Sequence, residues 1–230
     1  MKIPLMLLLC LSHALADVLT AAAGPFPMKT LPPPAAAIKD PALQSAIEAL
    51  KSAVKSRDME SLLKIVHPEV KVDFGGAGGL EDFRKAWALD QNPLDSPLWK
   101  ALDQVLAFEG ATEGDYYIFP YFFALWPDEF DGYEFAIVSG AKVNIRRSPD
   151  TTAGVIRQAS YEIVRMEESP EGEQPESTIG DETHPWRKVG LSSGETGYVW
   201  GKFLRSPLDF RLGLRNFAGV WKLAFFLAGD

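Results

Sequence analysis

The side chains suited to proton transfer are His67, Asp73, Asp115, Tyr117 and Tyr121. A general base needs a neighbour that tunes its pKa toward the working pH. No spacing along this chain assembles such a dyad. His67 precedes Pro68 at the close of a helical pattern, where an imidazole interacts well with the C-terminal end of the helix dipole. Asp73 falls on the solvent side of a half-buried strand. The glycine run Gly75–Gly79 lacks the Lys-Ser/Thr ending of a phosphate loop and reads as a flexible turn. Tyr117 and Tyr121 belong to the aromatic run "DYYIFPYFF" (Asp115–Phe123). That run either lines an apolar pocket or, by alternation, divides between a core and the opposite face. No catalytic set emerges, and the reading favours a protein that is not an enzyme.

Composition narrows the chemistry further. Met1-Lys2, the apolar run Ile3–Leu11 and Ala14-Leu15-Ala16 have the form of a secretory signal, residues 1–16. The apolar run is shorter than the roughly 20 residues that span a bilayer. Cleavage there removes Cys10, the one cysteine, and leaves two histidines, His67 and His184. Disulfides, thiol catalysis and Cys- or His-rich metal sites are thereby excluded, and no cofactor or metal is expected. The formal charge is −8, without a basic block, which argues against nucleic acid as a partner. No later segment has the length of a membrane span. A periplasmic or secreted protein is expected.

Three elements must position these side chains. Residues 17–39 are rich in Ala and Pro, including Pro32–Pro34, and read as a linker or free arm rather than a strap on the fold. Asp40-Pro41, Asp58 and Ser96-Pro97 are helix starts. Leu43, Ile47, Leu50 and Val54 then form one apolar stripe. Strands are expected at Val70–Phe74, Asp115–Phe123 and Tyr133–Ser139, with Pro120 marking an edge or bulge. Helices followed by strands give an α+β class.

The segment 140–205 resembles the bacterial SH3-like (SH3b) family. The matching residues are "VNIRRSP" (Val143–Pro149), "YEIVRM" (Tyr161–Met166), Trp186, Val189 and "GETGYVWGKFL" (Gly194–Leu204). The acidic stretch Glu167–Pro185 departs from that pattern and reads as a mobile hairpin loop. The rest resembles the nuclear-transport-factor-2-like (cystatin-like) family, through the helix pair at Pro41–His67, "HPEVKVDF" and the closing "GVWKLAFFLAGD". This implies a discontinuous domain, residues 40–139 plus 206–230, in which N-terminal helices pack on a curved antiparallel sheet. The small β-barrel is then an insertion, and the C-terminal hairpin returns to the earlier sheet.

The resemblances carry functional expectations. Exported bacterial SH3-like units bind peptidoglycan or peptides, and aromatics near the barrel ends stack on sugars or grip peptides. Trp186, Tyr198 and Trp200 are the candidates, with Arg146 and Arg147 at the rim. Alternation sends Tyr198 and Trp200 to one side and Val199 to the other. If outward, they are an exposed stacking pair; if inward, they are barrel core. The alternative is a small-molecule pocket in the cone, touching Tyr117 and Tyr121.

Overall fold

A computed structural model describes residues 24–168 and 175–229. The expected signal segment 1–16 lies outside them, as do residues 169–174 within the acidic stretch. Local hydrogen bonds open three of the helices. Asp40 Oδ1 accepts from the Ala42 N–H at 2.8 Å and starts α1 (Pro41–Ser56). Asp58 Oδ1 accepts from the Ser61 N–H at 3.1 Å and starts α2 (Met59–Ile65). A short helix α3 (Gly79–Ala86) follows the glycine run. Ser96 Oγ accepts from the Leu98 N–H at 3.2 Å and starts α4 (Pro97–Leu106).

Two expected strands are corrected. The helix stops at Ile65, so β1 runs over Val66–Lys71 rather than Val70–Phe74. Pro68 is tolerated inside it because β1 is an edge strand, paired only with one neighbour. Strand β2 is Ala111–Glu113, and β3 covers only Tyr116–Phe119 of the aromatic run. A cis Phe119–Pro120 peptide ends β3, and Tyr121–Ala124 turns into a short helix, α5.

The chain ends in β12 (Arg211–Phe217) and β13 (Val220–Leu227). These two strands lie in the interior of a five-stranded sheet ordered β1-β13-β12-β3-β2. Strand β1 runs parallel to β13, and the other pairs are antiparallel. Leu212, Leu214, Leu223 and Phe226 join Tyr117 and Phe119 on the face that packs against Leu50, Leu62, Leu98 and Leu102 of the helices. The Trp221 indole N–H also donates to Asp40 Oδ2 at 2.8 Å, tying the last strand to the cap of the first helix.

The second sheet collects β4 (Phe135–Val138), β5 (Val143–Arg146), β6 (Val155–Ala159), β7 (Ile163–Met166), β9 (Glu182–Gly190), β10 (Thr196–Trp200) and β11 (Leu204–Arg205). Its order is β11-β4-β7-β9-β10-β5-β6, and β8 (Glu176–Ile179) pairs with β9 beside this path. Strand β4, expected in the first domain, belongs here, with Ala136 opposite Val164 and both in the second core. Among the described residues the end strands β11 and β6 are not paired, so the path is not a closed barrel. The architecture is α+β with two mostly antiparallel sheets.

The Pro/Ala-rich segment, where described, is a strap and not a free arm. Leu31 N–H donates to Tyr161 O at 2.7 Å, and Ile163 N–H donates to Lys29 O at 2.9 Å. Phe26 packs edge-on against Phe130 and Phe135. The partly buried Phe26 and Leu31 and the main-chain pairing hold this stretch despite its composition. Among the described residues no helix is long and apolar enough to cross a membrane.

Candidate functional cleft

Alternation along β12 puts Leu212 and Leu214 into the helix-covered core and leaves Arg211, Gly213, Arg215 and Phe217 on the opposite face. That face carries an open cleft of about 1060 Å³. Its walls come from β1, the loop before α3, the β2–β3 turn and Phe123. Residues 213–214 of β12 meet 223–225 of β13 through an irregular register, with Ala224 as the extra residue. Phe225 lies over Gly213, and a Cβ on Gly213 would collide with the Phe225 ring.

Five planar groups form a ladder across this floor. The His67 ring is stacked on Phe217 at 3.8 Å between centroids. The Arg215 guanidinium lies 5.6 Å from Phe217 and 5.5 Å from Tyr116. Tyr116 in turn sits 5.5 Å from Phe225. Arginine over aromatic faces gains from the ring quadrupole. Arg215 Nη2 also contacts Asp115 Oδ2 at 3.3 Å, and that carboxylate is 77% exposed. Deeper in the wall, Arg211 is buried 4.3 Å from the Phe123 ring and 5.2 Å from Phe74.

Two carboxylates hydrogen-bond the backbone of the glycine run. Asp73 Oδ1 accepts from the Ala77 N–H and Asp82 Oδ2 from the Gly78 N–H, both at 2.9 Å. Gly76 and Gly79 hold φ of 98° and 87°, a region that favours glycine. These loop residues form one wall of the cleft.

The structure therefore brings His67, Asp73 and Asp115 to one cleft, each engaged in a contact of its own. His67 is the second residue of β1, not a helix end, and its Nδ1 accepts from the Glu69 N–H at 3.1 Å. The neutral ring thus carries its proton on Nε2, and no carboxylate orients it among the described residues. Asp73 hydrogen-bonds the loop, and Asp115 makes one 3.3 Å contact with Arg215. Tyr117 and Tyr121 are elsewhere, 8% and 1% exposed. Tyr117 donates to Gly110 O at 3.0 Å on the helix-covered side, and Tyr121 donates to Leu31 O of the strap at 2.8 Å. Burial pushes both hydroxyl pKa values above the ordinary tyrosine range. Among the described residues no group of three His, Cys, Asp or Glu could hold a metal ion.

The aromatic candidates of the second sheet take neither of the two arrangements alternation left open. Val199 is in the core, so Tyr198 and Trp200 face away from it. Yet Trp200 is only 5% exposed and Trp186, directly across on β9, only 2%. Strand β8 covers both: the Trp186 indole N–H donates to Ser177 Oγ at 2.8 Å and the Trp200 indole N–H to Ser177 O at 3.0 Å. Part of the acidic stretch is thus a packed hairpin strand. Tyr198 stays half-buried, opposite Lys188 and Arg146 in neighbouring strands. Arg146 Nη1 donates to Ala153 O at 2.6 Å and braces the β5–β6 turn. Arg147 pairs through its backbone N–H with Gly154 O at 3.0 Å in the same turn.

Sequence reasoning passed over Arg211, Arg215 and Phe217, took Tyr116 only as part of the aromatic run, and read Phe225 as a packing residue of the closing strand. A signal was present: "RLGLRNF" places Arg, Gly, Arg and Phe at every second position, so one face of that strand is cationic and aromatic around a bare glycine. Comparisons of the chain with protein-family models, with curated proteins and with solved structures found no match.

Proposed function

We propose that the chain is a non-catalytic binding protein that holds an apolar or aromatic small molecule in the cleft on the open face of the five-stranded sheet. The observation that carries this reading is the ladder His67–Phe217–Arg215–Tyr116–Phe225, a preassembled planar surface facing an open volume. Apolar concavities with a few fixed polar groups are the usual form of small-ligand sites. The helices packed on one face of that sheet support a cystatin-like reading of residues 40–139 with 206–230. The strand pairs of β5, β6, β9 and β10 support an SH3-like reading of residues 140–205. The signal-like first 16 residues support export to a bacterial periplasm or medium.

Nile red, a neutral apolar dye, tests the cleft. Its fluorescence should rise saturably with the protein, and Phe225→Ala should weaken binding roughly two- to ten-fold, the range of one aromatic contact. Saturation unchanged in Phe225→Ala would place binding elsewhere. A second reading, recognition of peptidoglycan or a peptide by the second sheet, is favoured by the half-buried Tyr198 between Lys188 and Arg146. It keeps Tyr198 and Arg146 as contact residues and gives Trp186 and Trp200 a supporting role beneath β8. Pull-down on purified cell wall, abolished by Tyr198→Ala, is its test.

A further inference from the structure

We propose that the cleft is selective for amphipathic carboxylates, with the acid group received by Arg215 and the apolar body lying on Phe225 and Ile118; this rests on the cleft being a binding site. Several charges in the cleft already have partners. Asp73 and Asp82 each accept a backbone N–H of the glycine loop. Each has one oxygen engaged in holding the wall. The remaining glutamates, Glu69 and Glu113, are exposed at the rim. Arg215 differs from all of these. Its guanidinium is held between the Tyr116 and Phe217 rings, so the planar fork is oriented before any ligand arrives. A preorganised guanidinium suits two parallel hydrogen bonds to a carboxylate.

The present partner of that fork is weak. The Asp115 contact is 3.3 Å long and involves one of its oxygens, and both side chains are substantially exposed, 42% for Arg215 and 77% for Asp115. Exposed pairs of this kind contribute little net stability. A ligand carboxylate can replace Asp115 while the rings keep the guanidinium in place. The apolar half of the ligand then lies beside Tyr116 on Phe225 and Ile118, which line the same cleft. A cationic head group would instead meet Arg215 at the centre of the floor.

Three ligands with the same tail separate head group from body: octanoate, 1-octanol and octyltrimethylammonium, each measured by displacement of Nile red from the full chain. Octanoate should compete at least about ten-fold more strongly than 1-octanol, the lower end for a charge-assisted hydrogen bond. Arg215→Gln should remove that preference, so that octanoate and 1-octanol compete equally. Asp115→Asn should move the other way and strengthen octanoate a few-fold, because the internal competitor is gone. It also keeps the test alive if the Arg215 variant does not fold. Equal competition by octanoate and 1-octanol, or preference for octyltrimethylammonium, overturns the carboxylate assignment and leaves the cleft reading standing. Failure of Nile red and of all three ligands to bind overturns both.

Discussion

Gly213 lies under the Phe225 ring, and replacing it by alanine tests how the cleft floor is built. The new Cβ would collide with Phe225 Cε1 and Cζ, so the ring must swing into the cleft or the two strands must separate. Overpacking of this kind costs about 1–3 kcal/mol. Against it stands the gain of roughly 0.5–1 kcal/mol from removing a glycine inside a strand. The net expectation for Gly213→Ala is therefore a loss of up to about 2.5 kcal/mol. In a Phe225→Ala background the obstacle is absent, only the backbone term remains, and the same substitution should stabilise by about 0.5–1 kcal/mol. The effect changes sign between the two backgrounds. Urea unfolding of the four proteins of this cycle measures the coupling, and contacting residues are where non-additivity is expected. Nile red binding should fall in Gly213→Ala because Phe225 is displaced from the floor. Equal effects of Gly213→Ala in both backgrounds, within about 0.5 kcal/mol, would refute the account of the floor.

Two further measurements address the frame. Leu223→Ala, at a fully buried position of the terminal hairpin, should cost about 2–5 kcal/mol, whereas Val220→Ala on the same strand at 53% exposure should stay within about 0.5 kcal/mol. A loss under about 1 kcal/mol for Leu223→Ala in urea unfolding would mean that the hairpin adds little to the first core. Alkaline stability follows from Tyr117 and Tyr121, whose pKa values are raised by burial above the ordinary value of 10.0. The folded state retains these protons more tightly than the unfolded state. The contribution is therefore fully present below pH 10.0 and is lost as pH rises from there through the raised folded values. The slope of unfolding free energy against pH above 10.0 should be smaller in the Tyr117→Phe, Tyr121→Phe double variant; an unchanged slope would assign the alkaline loss to other groups.

The parts of this molecule that were legible in the chain are those governed by near neighbours. Asp40, Asp58 and Ser96 start helices because each side chain reaches a backbone N–H two or three residues ahead. The stripe Leu43, Ile47, Leu50, Val54 is buried as its spacing requires. The return of the closing hairpin to the earlier sheet was readable too, since two apolar strands without local partners must be covered. Less legible was the strap. Nothing in its Pro/Ala composition announces that Leu31 and Lys29 pair with residues 161 and 163. Strand β4 was likewise placed with the wrong sheet, because its four buried residues give no alternation to choose a face.

The candidate site belongs to the second category. Alternation alone put Tyr198 and Trp200 on one side of their strand and Val199 on the other, because side chains change face every residue, and it left open which side was outward. It did not distinguish the tryptophans that β8 covers from the tyrosine that strand leaves half-buried, since that depends on a strand folding back onto β9. Nor did it join His67, Tyr116, Arg215 and Phe225, which come from four different strands and meet only when β1, β3, β12 and β13 are assembled. Local hydrogen bonding and periodicity are written in the order of residues. Contact between strands far apart in the chain is settled by the packing of the whole sheet, and the cleft exists only there.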